Sequence, residues 1–138
     1  MQVMNKLKIN KVHEFWNSES CGERYAVGDS TAQKFLNEKI NRYKLEPYIK
    51  KFANFIQFKD KDVLEIGVGF GCDHSQIARQ KPNLLTEIDL TERAIENTKL
   101  KFKNLGLNSK LQTDNAEKLS FEDNTFEAIY SWGVLHHS

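Results

Sequence analysis

Val63-Leu64-Glu65-Ile66-Gly67-Val68-Gly69-Phe70-Gly71 carries a short apolar run straight into three glycines separated by single residues. The first four residues have the length and composition of a parallel strand buried on both faces, where hydrocarbon side chains are the rule. Glu65 breaks that rule. A carboxylate at such a depth costs several kcal/mol unless it is neutralised, which is about what a whole domain has to spare. It therefore requires a partner, either loop amides or a ligand ammonium. The glycines permit a sharp turn with positive φ and close approach of a ligand to the backbone, and Cys72 to Ala78 then resume as helix.

Leu84 to Leu90 reads as a second strand whose end carries Asp89, about 20 residues past the glycine turn, where a strand–helix–strand unit places a ribose-binding acid. Thr91 is positioned to cap the next helix, with Glu92 in its first turn, so Asp89 is free for another use. A nicotinamide dinucleotide site, and hence an NAD-dependent oxidoreductase, shares this architecture. Its fingerprint is Gly-x-Gly-x-x-Gly, whereas the third glycine here comes one residue early. With Glu65 beneath the turn, a pyrophosphate would be repelled and a cationic or zwitterionic cofactor favoured. S-adenosylmethionine meets both requirements.

On four blocks in order, the segment from Val63 to His137 resembles a class I S-adenosylmethionine-dependent methyltransferase, of the broad group that includes quinone-biosynthesis C-methyltransferases. The blocks are the glycine turn, Ile88-Asp89-Leu90-Thr91, Asn115 to Phe121, and Phe126 to His137. The resemblance implies that Glu65 and the backbone of Gly67, Val68, Gly69 and Gly71 face the methionine end of the cofactor. It implies Asp89 at the ribose, Leu90 on the adenine face, Asn115 and Ala116 at the adenine edge, and Ser131 with Trp132 beside the methionine. Two positions depart from the group pattern. Asn115 stands where relatives usually have aspartate, and its carbonyl accepts without charge assistance. Glu87 stands where a small residue is usual, on the same side as Asp89, so the two carboxylates repel unless Lys or Arg lies nearby.

The fold class expected is α/β, a Rossmann-like doubly wound sheet of which only the N-terminal half is present, with strand order 3-2-1-4. In the resembled fold the full order is 3-2-1-4-5-7-6. The chain is therefore expected to be a C-terminally truncated fragment whose fourth strand forms an exposed, aggregation-prone edge and whose activity is impaired.

Residues 1–60 differ from residues 61–138 and read as an N-terminal helical extension to a partial cofactor-binding domain. Its apolar stripes are Val12, Phe15 and Trp16; then Phe35, Leu36, Ile40 and Tyr43; then Tyr48, Ile49, Phe52, Phe55 and Ile56, restarted at Pro47. Asn17 to Tyr25 has no periodicity and reads as a loop. By resemblance the extension is a lid, with Trp16, Arg24, Tyr25 and Tyr43 as candidates for lining the pocket. Further on, Ala94, Ile95, Thr98, Phe102 and Leu105 mark a helix face stopped by Gly106; Lys110 to Thr113 reads as a third strand and Phe126 to Ser131 as a fourth.

The 138 residues, 39% hydrophobic with a formal charge of +1, fit one soluble globular unit without a polyanion-attracting field, so no nucleic-acid partner is expected. No run spans a bilayer and no secretory signal is present, which predicts a cytoplasmic protein without a membrane partner. Cys21 and Cys72 make no disulfide framework and no zinc spacing, so no metal is expected. The reaction implied is displacement at a sulfonium methyl by an oxygen, nitrogen or carbon nucleophile of a small-molecule acceptor, with alignment as the chief contribution of the protein. His136 and His137 are candidates for deprotonating the acceptor. The Asn-Pro-Pro-aromatic signature of amino-methyltransferases is absent. A non-catalytic, cofactor-binding remnant is the remaining alternative.

Overall fold

The computed structural model describes residues 2–20 and 22–137, so the reading of Cys21 lies outside the described residues. Three helices lead the chain: α1 (Gln2–Ser18), α2 (Thr31–Leu45) and α3 (Tyr48–Ala53). They are followed by β1 (Asp62–Ile66), α4 (Cys72–Arg79), β2 (Leu84–Asp89), α5 (Glu92–Leu105), β3 (Lys110–Thr113) and β4 (Ala128–Ser131). Single 3₁₀ turns occupy Glu23–Tyr25, Phe55–Phe58 and Leu135–His137. The segment read as a loop thus contains the last two residues of α1 and one 3₁₀ turn.

All strand pairings are parallel, and the order β3-β2-β1-β4 is the one expected from the sequence. The order follows from right-handed crossovers through α4 and α5, each started by a residue suited to the task. Thr91 Oγ1 accepts from Ala94 N, as its sequence position implied, and Ser30 Oγ accepts from Gln33 N at the start of α2. Gly106, at φ +67°, ends α5.

The two sheet faces bury different cores. Val63 and Leu85 pack with Ile77, Phe102, Phe58 and Tyr130 on the helix side, while Leu64, Ile66 and Ile88 pack with Phe121, Phe126 and Val134 on the other. Burial of this kind contributes about 25 cal/mol per Å² of apolar surface and is what holds the sheet against its helices.

The stripe read on α2 is only half correct. Phe35 and Tyr43 are buried, but Leu36 and Ile40 are exposed, and the inward face is completed by Glu38 and Arg42. On α3, Ile49 and Ala53 are buried while Tyr48 and Phe52 stay exposed, as does Ile56 in the following turn. Periodicity registers apolar positions, and it cannot register polar groups whose partners lie on other elements. Among the described residues β4 has a strand neighbour only in β1, and Ile129 on it is exposed. No helix among the described residues is long and apolar enough to cross a membrane.

Candidate functional site

The C-terminal ends of β1, β2 and β4 open into one cleft, the usual place for a ligand in an open parallel sheet. It is partly open to solvent. Glu65 and the turn Gly67 to Phe70 form its floor, Asp89 and Leu90 one wall, and Asp114 to Glu117 the next. Trp132 to Val134 close the far side, and Ile9, Val12 and Trp16 of α1 roof it.

The glycines divide their work. At Gly67, φ is +78° and an added Cβ would lie 2.1 Å from Val134 Cγ2, so only glycine lets the segment after β4 close over the turn. Gly71 has φ +81° and an added Cβ would lie 2.8 Å from Thr98 Oγ1. It caps α4 and brings that helix against α5, and it does not line the cleft. Gly71, expected from the sequence to face the cofactor, packs one helix on another in this structure.

Glu65 is buried, with Oε2 2.7 Å from His74 Nδ1. The other imidazole nitrogen, Nε2, is 2.7 Å from Ser109 Oγ and 3.3 Å from Glu87 Oε2. Parallel register places Glu65 directly beside Glu87, and His74 lies between the two carboxyls, stacked on Phe102 at 5.1 Å. Like charges on paired positions repel. Burial, followed by the neighbouring carboxylates Asp73 and Glu87, pushes the Glu65 pKa well above its usual range. Glu87 is pushed up in the same direction by burial and then by Asp89, and burial lowers His74 to about 3. Lys101 adds a favourable field at Glu87. The compensation sought for Glu87 thus comes from a lysine.

Asp89 Oδ2 accepts from Gly69 N at 3.3 Å, and Oδ1 accepts from Thr91 N and Thr91 Oγ1, both at 2.9 Å. It ties the glycine turn to the start of α5 while remaining on the cleft wall. Burial raises its pKa against these hydrogen bonds. Asn115 Oδ1 accepts from Glu117 N at 2.9 Å, and the residue lines the cleft.

A second buried cluster fastens α2 to the turn. Asp73, in the first turn of α4, receives a two-pronged contact from Arg42 (Nε to Oδ1 3.1 Å, Nη2 to Oδ2 2.9 Å). Tyr43 and Tyr130 each donate a hydroxyl to it at 2.8 Å. Beside this cluster, Lys101 of α5 pairs with Glu38 of α2, and its ammonium lies over the rings of Phe35 and Phe70. Burial pushes the Cys72 thiol up to about 12, so it stays protonated at neutral pH and has no nucleophilic character.

Residues 63–138, more than half of the chain, match the sequence model of the methyltransferase domain. The chain belongs to the methyltransferase-domain family. No curated protein matches it in sequence. Among solved structures, the PH0226 protein of Pyrococcus horikoshii OT3 is 25% identical with a TM-score of 0.54, covering 76% of this chain and 45% of that one. Magnesium protoporphyrin IX methyltransferase of Synechocystis PCC 6803, solved with bound SAH, is 16% identical with a TM-score of 0.68, over 95% of this chain and 61% of that one. Geranyl diphosphate C-methyltransferase of Streptomyces coelicolor A3(2) is 15% identical with a TM-score of 0.64, over 90% and 53%. The last two share the fold. This chain spans about half the length of these proteins.

Several residues singled out in this methyltransferase-domain chain do meet at the cleft: Glu65, Gly67, Val68 and Gly69 on its floor, Asp89, Leu90, Asn115 and Ala116 on its walls, with Trp132 and Trp16. Others do not line it. Ser131 Oγ donates instead to Ile66 O at 3.0 Å, because its side chain is turned to the neighbouring strand. Arg24 donates to the Tyr25 hydroxyl and stacks on its ring, so the pair is held together away from the cleft. Tyr43 is consumed by Asp73. His136 is exposed in the last 3₁₀ turn and does not line the cleft. The side chain of His137 lies outside the described residues. Sequence reasoning missed His74, Arg42 and Asp114. For His74 and Arg42 the available signal was a polar residue recurring on an otherwise buried helix face.

Proposed function

We propose that this chain binds S-adenosylmethionine in the cleft and directs transfer of its methyl group to a small-molecule acceptor. The observation that carries the proposal is the convergence on one cleft of a buried carboxyl (Glu65), a glycine turn and a strand-end acid (Asp89). The donor set suits the group: Glu65 for an ammonium, Asp89 for a ribose diol, Leu90 and Ala116 for a purine, and Asn115 for its edge. Gly67 and Gly69 let the backbone approach, and Trp132 stands beside the methionine end. When bound, the cofactor supplies an electrophilic methyl group, and the protein's part is to align acceptor, methyl and sulfur and exclude water. Residues 61–138 form the binding domain in this proposal and residues 1–60 its cover, with Trp16 against the acceptor.

Two structural neighbours are named as methyltransferases of magnesium protoporphyrin IX and of geranyl diphosphate, which agrees with a small-molecule acceptor here. A cytoplasmic setting accords with the unbridged buried thiol of Cys72. Titration calorimetry with S-adenosylhomocysteine and with NAD tests the reading. Preferential binding of S-adenosylhomocysteine, weakened about 10–100-fold in Glu65→Gln or Asp89→Asn, is expected from loss of one charge-assisted hydrogen bond. Preferential NAD binding, or undiminished uptake by both variants, rejects it.

A further inference from the structure

Two faces of α1 are occupied by the rest of the chain. Ile9, Val12 and Trp16, at helical spacing, roof the cleft. His13 and Asn17, one turn apart on the next face, are tied to the start of α5: His13 Nε2 lies 2.9 Å from Glu92 Oε2, and Asn17 Oδ1 accepts from Arg93 N at 3.2 Å. The third face carries Met4, Leu7, Lys11 and Phe15, spaced i, i+3, i+7 and i+11. Its three apolar residues are 77%, 56% and 66% exposed. A stripe of this kind along one helix differs from the singly scattered apolar residues of an ordinary surface.

Charge indicates what this face meets. Within α1, Lys6, Lys8 and Lys11 stand against one acid, Glu14. Lys11 lies inside the stripe and Lys8 borders it, both exposed. The bias extends beyond the helix: residues 1–60 hold 11 Lys and Arg against 7 Asp and Glu, a formal charge of +4, whereas residues 61–138 hold 9 against 12, a charge of −3. Ten of the fifteen exposed large apolar residues among those described also lie in 1–60. A second copy docked on this face would oppose two identical lysine-bearing stripes, which like-charge repulsion disfavours. The three apolar residues expose roughly 400 Å², about half of what each side of a stable protein interface covers. A bilayer requires no matching pocket, because apolar side chains enter the acyl boundary while lysine stems lie along it and hold their ammonium groups among the phosphates.

We infer that α1 is a membrane-surface helix: the face of Met4, Leu7, Lys11 and Phe15 docks on an anionic lipid bilayer, with the helix lying in the plane of the headgroups. The expectation of no membrane partner rested on the lack of a spanning run, and a helix that lies on the surface needs none. Phe15 meets Trp16 edge to face at 4.9 Å, so the lipid-facing side of α1 touches the roof of the cleft. Apolar insertion and attraction to anionic headgroups both contribute, and one lysine near such a surface strengthens binding about fivefold.

Sedimentation of the full chain with vesicles tests the inference without any cofactor, so its failure leaves the methyltransferase reading standing, and the converse holds. The probes are vesicles of phosphatidylcholine alone and of an equal mixture with phosphatidylglycerol. Binding to the mixed vesicles and its loss at high salt are expected. Leu7→Ser combined with Phe15→Ser should weaken it about tenfold, and Lys11→Gln about fivefold. Leu36→Ser with Ile40→Ser, exposed apolar positions on α2, should leave it unchanged. All of these side chains are exposed, so the variants should keep the parent's unfolding midpoint. No binding to the mixed vesicles, equal binding to phosphatidylcholine alone, or undiminished binding by the α1 double variant overturns the inference, as does an equal loss in the α2 variant. A concentration-dependent dimer that the α1 double variant abolishes, with no vesicle binding, assigns the face to a second copy and overturns it too.

Discussion

Replacing Asp73 by alanine tests whether α2 is held to the cofactor turn by a buried polar cluster. The carboxylate receives two bonds from Arg42 and one each from Tyr43 and Tyr130, all with short distances and all buried. Removing it strands a buried guanidinium, at a cost of about 3–5 kcal/mol, and two buried hydroxyls at about 1–3 kcal/mol each. The three terms overlap as side chains relax and water enters, so a total of about 4–6 kcal/mol is expected. With a urea m-value of about 2 kcal/mol/M, the unfolding midpoint should fall by roughly 2–3 M. That is a large part of the roughly 5–15 kcal/mol that stabilises an ordinary domain. Tyr130→Phe removes one bond without stranding a charge and should cost only about 1–1.5 kcal/mol, which keeps the measurement usable if Asp73→Ala cannot fold. Urea titration followed by tryptophan fluorescence reads both. A loss below about 1 kcal/mol for Asp73→Ala at unchanged m-value would refute the reasoning, since the cluster would then be ornament on a helix held by apolar contact alone.

Gly71→Ala should cost about 2–4 kcal/mol, combining the left-handed backbone at φ +81° with the 2.8 Å approach to Thr98 Oγ1. Adding Thr98→Ala should recover only the contact part, and Gly106→Ala, with open space around it at φ +67°, should cost only about 1–2 kcal/mol; equal losses at the two glycines would remove packing from the account. For Glu87→Gln the readout is the slope of stability with pH. Because the folded protein raises the Glu87 pKa, it binds more protons than the unfolded chain above the ordinary carboxylate value, so Glu87 lowers stability as pH rises from about 4.5 towards its raised value. The variant should lose that slope and gain on the parent at pH 8 relative to pH 5; parallel curves would contradict it.

The strands and their order were readable because the signals are local. Val63 to Ile66 and Leu84 to Asp89 are short apolar runs ended by glycine or acid, and Thr91 and Gly106 mark the two ends of α5 with their own backbone preferences. Among the candidates for lining the pocket, Trp16 reaches the cleft, whereas Arg24 donates to the Tyr25 hydroxyl and Tyr43 to Asp73. A side chain's type states what it can bond, while its partner is settled only when distant elements meet. The same limit explains Leu36 and Ile40: α2 turns them outward because Glu38 and Arg42 find Lys101 and Asp73 on the inside.

By itself the sequence determined a parallel α/β order with a glycine turn beneath a carboxylate, because strand composition, helix capping and glycine spacing act over a few neighbouring residues. Only the tertiary structure decided that His74 stands between Glu65 and Glu87, that Gly71 packs helix on helix, and that Asp73 gathers groups 30, 31 and 57 residues away. Buried polar groups must find partners wherever the packed elements offer them, and that pairing exists in space before it leaves any period in the chain.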